Sequence, residues 1–489
     1  KLILMKLNIS FKDFKKNHIK KQNQIIFTSK KCNDYSRIEN LFKFLLVEKN
    51  SFIFESVEKG LIRGRYTIIG LRPDKIYDIR NGVITVNSKA VKKHIKKKPL
   101  TFLNDLINKF NIKIPKALPS MAMMLVGYFS YDIIRYIEKI PDKCLDDLKI
   151  PDVRLSRPTS LIIYDNLKKI IYYIHNIYND TKISNYFEKY NSIKRDFELF
   201  QDYENIKLPE VFTLKKNNNK IKSNISRARF KNIVKKAKKH IDKGDIFQVV
   251  LSQRFERKFE KEPLEIYTYL RKSNPSPFMF YFNYDDFKIL GSSPEILVRL
   301  RDKKVTIRPI AGTRPRGRNR IQDQKYKKEL LNDKKELAEH LMLLDLGRND
   351  VGKVSRVNTV KVTESFNVEK YSHVMHIVSN VTGRFNDKTS IFETLLSGFP
   401  AGTVSGAPKI RAMEIIDKLE KNKRKLYAGG IGYFTPNREF DTCIALRTAL
   451  IKDDKFYVQS GAGIVADSNA EKEYQETVNK AKALMKAID

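Results

Sequence analysis

The sequence has no tryptophan, only three cysteines and no apolar run that approaches 18 residues. Cys32, Cys144 and Cys443 are widely separated and odd in number, a pattern that indicates neither a disulfide framework nor a zinc site. Without a long apolar run the chain lacks the signature of a transmembrane helix, and the Leu-Ile-Leu-Met run near its start is too short for a signal peptide. We therefore expect a cytoplasmic protein with reduced thiols and no membrane partner.

Acidic residues are also in deficit, with 56 Asp and Glu against 95 Lys and Arg, a net charge of +39. Electrostatics alone would favour a nucleic acid or an anionic membrane as the partner. The lysines, however, are spread over nearly every segment together with abundant Ile and Asn, which is typical of A/T codon bias and a solvated surface. We expect no nucleic-acid partner, and a basic nucleic-acid-binding protein remains as an alternative from another functional class.

The length of 489 residues, with 41% hydrophobic and 31% charged residues, is typical of a globular chain of one to three domains. Residues 1–182 are rich in strand patterns, including an Asn81-Gly82 turn and a hairpin over 161–178. Residues 183–225 are polar and are interpreted as a linker. Residues 226–489 form the third segment, which begins with a helix capped by Ser226.

A loop rich in Gly and Pro is predicted over 399–411, F-P-A-G-T-V-S-G-A-P-K-I-R. Gly weakens helices and strands and Pro removes a backbone donor, so this stretch is predicted to be irregular. Helical periodicity follows it directly, so its free amides can face an anion. The alternative is a turn that only starts a helix. No Gly-Lys-Ser/Thr closes the loop, which excludes a P-loop.

A helix predicted over 333–346 carries two carboxylates on one face. Its predicted buried stripe is Leu337, Leu341 and Leu344. Glu336 and Glu339 lie together on another face of this helix. Glu336 stands three residues after Asp333, so a capping box is the simpler explanation for it, and surface charge is the simpler explanation for Glu339 taken alone.

The C-terminal helix presents a similar acidic group. Glu473, Glu476 and Lys480 are predicted to cluster on the side opposite its apolar stripe. Carboxylates brought together from two helices suit Mg²⁺, which binds one or two of them and keeps positions for water and an anionic ligand. Glu471, three residues after Ser468, is predicted to form a capping box, and Glu476 alone would be interpreted as surface charge.

Two histidines, His373 and His376, lie three residues apart in a β-branched run, and no Cys or third His lies nearby in sequence to complete a zinc site. We interpret them as one structural histidine and one general acid or base. Residues 308–317 form a Gly- and Arg-rich loop that can offer amides and cations to a carboxylate.

Several long motifs follow one another from about residue 51 to the end of the chain. They are G-D-I-F-Q-V-V-L-S-Q-R-F, N-P-S-P-F-M-F-Y-F, G-S-S-P-E, R-P-I-A-G-T-R-P-R-G, A-E-H-L-M-L-L-D-L-G-R-N-D, D-T-C-I-A-L-R and S-G-A-G-I-V-A-D-S. Together they resemble the chorismate-utilising enzymes, in particular the anthranilate synthase component I family. The resemblance implies an α/β fold of the α+β type, with two large, mainly antiparallel sheets packed orthogonally and helices outside.

The resemblance also implies roles for individual residues. Glu339 and Glu476 match the ligands of a Mg²⁺ ion that holds the ring carboxylate of chorismate. Glu295 matches the acid that protonates the departing hydroxyl, His376 a residue that assists the loss of pyruvate, and Thr403 lines the same pocket as a catalytic candidate. The matching substrate-binding residues are Gly312, Thr313, Tyr427, Arg447, Gly461, Ala462, Gly463 and Lys480.

Two positions discriminate among sister enzymes of the family. Relatives that add water to chorismate carry Lys where Gln248 stands, because water needs a base whereas ammonia does not. Relatives that make aminodeoxychorismate often carry Lys where Ala311 stands. The resemblance therefore implies an anthranilate synthase large subunit, which makes anthranilate and pyruvate in the first step of tryptophan biosynthesis from chorismate. Aminodeoxychorismate synthase component I is the alternative.

The resemblance implies a partner and an inhibitor as well. None of the three cysteines lies in the Gly-flanked elbow of a glutamine amidotransferase, so that activity is expected in a component II subunit within a heterotetramer. Ser56, Pro277, Phe278 and Met279 match the site for tryptophan as feedback inhibitor. Phe54 replaces a Leu of the family motif beside that site.

Overall fold

The computed structural model describes residues 7–56, 64–90, 98–206, 219–371 and 374–488. His373, one of the two histidines singled out above, lies outside the described residues, and so does part of the polar segment, 207–218. Within the described ranges, every helix is too short or too polar to span a bilayer.

Helices and strands alternate irregularly along the chain. The helices are α1 (Phe11–Ile19), α2 (Ser36–Leu45), α3 (Pro99–Lys109), α4 (Tyr186–Asn205), α5 (Arg227–Asp242), α6 (Pro263–Ser273), α7 (Arg320–Asn332), α8 (Lys334–Gly352), α9 (Ile391–Ser397), α10 (Lys409–Leu419) and α11 (Ala470–Met485). The strands before α5 are β1 (Gln24–Lys31), β2 (Ser51–Glu55), β3 (Tyr66–Arg80), β4 (Val83–Val86), β5 (Lys89–Ala90), β6 (Leu125–Phe129), β7 (Val153–Asp165), β8 (Ile170–Ile177) and β9 (Lys222–Ser223). The strands after α5 are β10 (Gln248–Lys258), β11 (Phe278–Asn283), β12 (Lys288–Ser293), β13 (Ile296–Arg301), β14 (Lys304–Ile307), β15 (Ile310–Pro315), β16 (Lys361–Lys370), β17 (Val374–Arg384), β18 (Gly406–Ala407), β19 (Gly430–Thr435), β20 (Glu439–Ile444), β21 (Thr448–Lys452) and β22 (Lys455–Ile464).

The strands form two arms that share the long strands β3 and β7. The first arm runs β1, β8, β7, β3, β2, β11, β12, β21, β22, β10. The second arm leaves β7 and runs β6, β19, β20, β13, β14, β17, with β15 and β16 also paired to β17. Each of these pairings is antiparallel, which confirms the predicted fold class of helices with mainly antiparallel strands.

The change from one arm to the other takes place in the middle of β3 and β7. Pro73 lies opposite Pro158 there, and the register shifts between Pro73 and Lys75. Proline cannot donate a ladder hydrogen bond, so two facing prolines interrupt the ladder at this point. The two large sheets expected from the sequence are therefore built on opposite ends of the same two long strands, β3 and β7.

The largest core lies between the two arms, where Phe54 and Phe280 of the first arm belong to the same cluster as Tyr128 and Ile431 of the second. A second core lies on the other face of the first arm, against helices α1, α2, α4, α6 and α11. A third core packs α5 and α10 on β10 and β22. The helices therefore cover the outside of the sheets, as predicted.

Several local predictions are confirmed. Asn81 and Gly82 have φ of 48° and 78°, as a two-residue hairpin turn requires, and β7 and β8 form the hairpin predicted over 161–178. The Ser226 side chain accepts the Arg229 amide and caps α5. The loop after Phe399 runs into α10, as predicted, but its bounds were partly wrong, because Gly406–Ala407 forms β18 and α10 already begins at Lys409.

The predicted buried stripe of α8 is partly wrong. Leu341 is 50% exposed, whereas His340, Leu343 and Gly347 are buried together with Leu344. The helix packs on β15 and β17 through a face that includes a histidine and a glycine. Hydrophobic periodicity does not rank such residues as core, so the sequence pattern selected a face rotated from the true one.

Both capping-box predictions are also wrong in part. Asp333 accepts the Glu336 amide as expected, but the Glu336 carboxylate bonds Arg314 at 3.0 Å and does not return to the cap. At α11 the cap is Asn469, not Ser468, and Glu471 pairs with Arg227. In both cases an arginine from another element offers the carboxylate a stronger, charged partner.

The division of the chain at 183–225 stays a prediction. The structure adds that this segment contains α4, which buries Tyr190, Ile193, Phe197 and Phe200 against the second core. The segment is therefore partly helical and packed, where the sequence indicated a polar connection.

Candidate active site

Glu339 on α8 lies close to acidic neighbours. Burial raises the pKa of Glu339, and the charges of Glu336 and Glu476 raise it further, while a hydrogen bond from Gln248 opposes them. The Gln248 Nε2 donates to Glu339 Oε1 at 3.1 Å. Within the described residues, no cation lies within salt-bridge distance of Glu339. This part of the cleft therefore carries negative charge that the protein itself does not neutralise.

Glu476 on α11 faces the same cleft and is better hydrated. Its Oε1 lies 2.7 Å from Lys480 Nζ, and both side chains are about half exposed, at 46% and 55%. Lys480 also donates to the Gly461 carbonyl at 3.1 Å. Burial and the neighbouring charge of Glu476 raise the pKa of Glu473, another sign of crowded carboxylates. The predicted acidic face of α11 is present.

The donor set of this acidic group fits Mg²⁺ better than zinc. Within the described residues, no three His, Cys, Asp or Glu side chains lie close enough to hold a metal ion by themselves. One or two carboxylates are what Mg²⁺ uses when it keeps water and binds an anionic ligand. The assignment of Glu339 and Glu476 as its ligands stays a prediction.

Glycines on β22 allow side chains from neighbouring elements to approach the backbone. A Cβ on Gly461 would lie 2.6 Å from the Tyr427 hydroxyl, and one on Gly463 would lie 2.6 Å from Gln248 Nε2. Such distances are far below contact, so any larger residue would displace these polar groups. Ala462 between them belongs to the core on the far face. The predicted Gly461–Gly463 stretch thus forms a wall of the cleft beside Glu339.

Glu295, between β12 and β13, is a buried carboxyl group. Burial raises its pKa to about 8, and the opposing influences are a hydrogen bond from Thr403, one from the Ile310 amide and the charge of Arg447. The Thr403 Oγ1 donates to Glu295 Oε1 at 3.1 Å. Glu295 is therefore protonated at neutral pH and can act as a general acid.

Arg447 carries a buried guanidinium close to Glu295. Burial lowers the pKa of its guanidinium, and Tyr371 and Glu295 oppose this shift. Its backbone adopts the left-handed conformation, with φ of 47°. No carboxylate among the described residues forms a salt bridge with it. A buried guanidinium in this state favours an anionic ligand.

His376 on β17 is held as a neutral imidazole. Its Nδ1 lies 2.9 Å from the Gly312 carbonyl and 3.1 Å from Thr313 Oγ1. A carbonyl only accepts, so Nδ1 carries the proton and Nε2 is left as a base. Burial lowers the pKa of His376 to about 4, and the charges of Arg447 and Lys480 act in the same direction. Gly312 and Thr313 therefore orient the histidine.

These groups belong to one cleft. Arg447 acts electrostatically on both Glu295 and His376, and Lys480 acts on both His376 and Glu339. The predicted catalytic, substrate-binding and metal-binding residues thus come from α8, α11, β15, β17, β22 and the connections before β13, α10, β19 and β21. Their individual roles stay predictions.

The residues predicted to bind tryptophan lie elsewhere. Ser56, Pro277 and Phe278 line a separate cavity of about 1170 Å³. Met279 is fully buried on β11 opposite Glu55 and is not among the residues that line it. We call this space the effector cavity.

Sequence reasoning matched Glu55 to the family's L-L-E-S element but did not find its partners, and it missed a buried ion pair below the cleft. At the effector cavity, the Glu55 carboxylate accepts from the Tyr35 and Tyr267 hydroxyls and from Arg271. Below the cleft, Arg424 forms a buried ion pair with Glu420. Arg424 stands in the run K-N-K-R-K-L, where no local signal separates buried from exposed basic residues.

Comparison with known proteins identifies the family. The sequence model of a family described as chorismate binding enzyme matches residues 50–486. Anthranilate synthase component 1 of Cereibacter sphaeroides is 45% identical over 490 residues, covering 98% of this chain and 97% of that protein. The protein of the same name from Acetivibrio thermocellus is 43% identical and covers 92% of each chain.

Solved structures give the same result for the fold. Anthranilate synthase component I from Streptococcus pneumoniae superposes with a TM-score of 0.77 at 37% identity, covering 88% of this chain and 94% of that one. The menaquinone-specific isochorismate synthase of Escherichia coli superposes with a TM-score of 0.71 at 18% identity, over 96% and 95% of the two chains. The latter likeness concerns the fold alone. The chain belongs to the chorismate-binding enzymes and, within them, to the anthranilate synthase component I family.

Proposed function

We propose that this chain is the large subunit of an anthranilate synthase, which converts chorismate and ammonia to anthranilate and pyruvate. The proposal rests mainly on Gln248, whose buried amide bonds Glu339 in the cleft. An amide side chain cannot take a proton from water, but it can bind a nucleophile that needs no base. A nucleophile of the ammonia type fits this position.

Substrate binding follows from charge. Chorismate is a dianion, and Arg447 offers a buried cation for one carboxylate. Glu339 and Glu476 would hold Mg²⁺, and the ion would supply a second positive charge for the ring carboxylate. Lys480 lies beside these carboxylates and adds a third cation to the cleft. Fixing both ends of the substrate orients the ring for reaction.

Ammonia addition needs a leaving group and a positioned nucleophile. Glu295 holds a proton at neutral pH and would give it to the departing allylic hydroxyl, which then leaves as water. The Oε1 of Gln248 is buried and has no hydrogen-bond partner among the described residues. It would accept an N–H of the incoming ammonia and hold its lone pair towards the ring.

Loss of pyruvate then requires removal of a ring hydrogen together with cleavage of the ether bond to the enolpyruvyl group. The released enolpyruvate takes up a proton to become pyruvate, and the ring becomes aromatic. His376 has an unprotonated Nε2, since the Gly312 carbonyl fixes the proton on Nδ1. A low pKa keeps the imidazole neutral, so it is available as the base. This assigns the acid and the base to different residues of the cleft.

Aminodeoxychorismate synthase component I is the second candidate. Its relatives often place a Lys at the position of Ala311, which here is a buried alanine on β15. No nucleophile is available at this point for a covalent step, and direct addition is favoured. The nucleic-acid alternative rests only on the net charge of +39 and would require tight, salt-dependent duplex binding.

Ammonia would reach the enzyme from glutamine through a component II amidotransferase, in a complex of two copies of each subunit. All three cysteines are free and buried, as suits a reducing cytoplasm, and none is exposed as a nucleophile. The chain therefore depends on a partner for glutamine but not for ammonia.

Tryptophan would inhibit by binding in the effector cavity. Phe278 pairs with Ser293 across β11 and β12, and the Ser276 hydroxyl donates to the Ser293 carbonyl at 2.7 Å. Glu295 follows Ser293 by two residues, so a ligand that displaces β11 would also displace the acid. The connection from Phe278 through Ser293 to Glu295 supports feedback inhibition of the first step of tryptophan biosynthesis.

Product identification tests the proposal. With chorismate, Mg²⁺ and an ammonium salt at alkaline pH, the chain alone should form fluorescent anthranilate and an equal amount of pyruvate. Aminodeoxychorismate as the end product would favour the second candidate. Glutamine should replace ammonia only after an amidotransferase is added, and activity with glutamine alone would contradict the need for a partner.

A further inference from the structure

A fully buried arginine lies directly below the active-site cleft. Only 1% of the Arg424 side chain is exposed, and 4% of that of its partner Glu420. The guanidinium donates to Glu420 through Nε at 2.9 Å and through one terminal nitrogen at 2.7 Å. It also packs over the rings of Tyr131 and Tyr427, at 4.9 and 5.4 Å from their centroids.

The remaining donors of Arg424 bond two backbone carbonyls. One terminal nitrogen donates to Val404 at 2.7 Å, and the other to Val250 at 2.6 Å. Val404 ends the 3₁₀ turn that contains Thr403, the residue whose hydroxyl bonds Glu295. Val250 lies on β10, two residues after Gln248. One side chain thus ties together the two backbone segments that carry the acid's partner and the amide.

Glu420 strengthens the attachment to β10. Its Oε1 accepts from the Ser252 amide and from the Ser252 hydroxyl, each at 2.8 Å. The Tyr427 ring packed on Arg424 carries the hydroxyl that lies against Gly461. The Arg424–Glu420 pair therefore contacts the turn that contains Thr403, strand β10 and the ring of Tyr427, and it does not enter the cleft itself.

Stability alone does not account for such a pair. Replacing a buried ion pair by apolar residues of similar volume is often neutral or stabilising, because desolvation offsets the Coulomb attraction. What an arginine uniquely supplies is a rigid fork of donors with fixed directions. Here that fork is directed at carbonyls of the two active-site segments.

We propose that Arg424 is a positioning residue for the reaction: it fixes the turn that presents the Thr403 hydroxyl to Glu295 and the strand that presents Gln248. This inference rests on the proposed function, because it assigns Arg424 a task in that reaction. Arg424 itself touches neither the substrate nor the reacting atoms.

The test compares Arg424→Lys with Arg154→Lys in the full chain. Lysine keeps the charge but cannot reach two carbonyls and a carboxylate at once. Arg154 is the matched control, because it is also buried and bonds Asp78 and Asp286 with similar distances, but lies on β7 outside the cleft. Both variants are assayed for anthranilate at saturating free ammonia, with thermal unfolding as the measure of folding.

Arg424→Lys should lower kcat by about 10- to 100-fold while Arg154→Lys stays within about twofold of the wild type, since small misplacements of reacting groups cost about this much. A second readout is the alkaline limb of kcat. The groups facing Glu295 are the Thr403 hydroxyl, the Ile310 amide and the charged Arg447. The Thr403 bond lowers the pKa of Glu295, so loosening it should move that limb to higher pH in Arg424→Lys alone.

A double variant covers the possibility that Arg424→Lys does not fold. Glu420→Gln/Arg424→Gln leaves no unpaired buried charge, but the shorter glutamine cannot reach Val404 and Val250 together. It should fold, lose kcat and shift the limb in the same direction. A folded variant of either kind with wild-type kcat and an unshifted limb would overturn the inference while leaving the proposed function intact. A wild-type chain that makes no anthranilate would refute the proposed function, and the inference with it.

Discussion

Glu295 in the active-site cleft and Glu55 at the effector cavity are buried to the same degree, at 6% and 4% exposure. Glu55 accepts hydrogen bonds from Tyr35 at 2.5 Å, Tyr267 at 2.7 Å and the Arg271 guanidinium at 2.8 Å. Glu295 accepts one hydrogen bond from a hydroxyl and one from a backbone amide, and it forms no salt bridge among the described residues. Its pKa is raised to about 8. The same residue type is thus paired with a cation at one site and left without a salt bridge at the other, where burial favours the protonated form.

The largest effect is expected at the two carboxylates that are proposed to hold Mg²⁺. Glu339→Gln and Glu476→Gln should each abolish Mg²⁺-dependent turnover, because each removes a charged ligand from the proposed ion. Mn²⁺ binding followed by electron paramagnetic resonance should weaken in parallel with activity. Full activity in either variant would remove that residue from the metal site, and Glu471→Gln on the outer side of α11 is the control.

The next largest effect is expected when Glu295, the buried glutamate without a salt bridge, is replaced. Glu295→Gln keeps the shape but holds no transferable proton, so kcat should fall by about 10²- to 10⁴-fold, the usual contribution of a general acid. Chorismate affinity, measured by calorimetry, should change little. A kcat within about tenfold of the wild type would assign the acid role elsewhere.

The pKa of Glu295 gives a prediction for pH dependence. Because the acid must be protonated, kcat should fall above about pH 8. The folded pKa lies above the unfolded value of about 4.3, so the stability this group contributes is complete below that pH and is lost as pH rises through about 8. The melting temperature of Glu295→Gln, relative to the wild type, should therefore rise between pH 6 and pH 9, and parallel melting curves would contradict this.

The smallest effect on catalysis is expected at the effector cavity. Glu55→Gln weakens the pairing with Arg271 and should raise the tryptophan concentration for half-inhibition by at least about tenfold, which corresponds to about 1.4 kcal/mol. Turnover without tryptophan should change far less than in Glu295→Gln. An unchanged inhibition curve would separate Glu55 from tryptophan binding.

Local chemistry made part of this structure predictable from sequence. The Asn81-Gly82 turn and the Ser226 cap depend on a few adjacent residues, and both are confirmed. The family motifs also predicted that Glu339 and Glu476 belong to one site, and the structure places them on α8 and α11. The buried face of α8 was not predictable, because His340 becomes core only through its bond to Ser379 on β17.

Arg424 shows the same limit more clearly. Its partners Val404 and Val250 are 20 and 174 residues away in sequence, and both contribute backbone carbonyls that carry no side-chain signal. Nothing in the local pattern shows that Arg424 and the adjacent Lys425 are buried whereas Lys421 is exposed. Tertiary packing alone decides which of these side chains is buried.

The insertion of β2 between β3 and β11 makes the two halves of the chain interdependent. A fragment starting near residue 226 would lack β2 and β6 and would leave the edges of β11 and β19 open to aggregation. Chimaeric proteins that join the N-terminal part of one relative to the C-terminal part of another must therefore preserve both the β2–β11 and the β6–β19 pairings. Recombination near residue 226 should succeed only between closely related sequences.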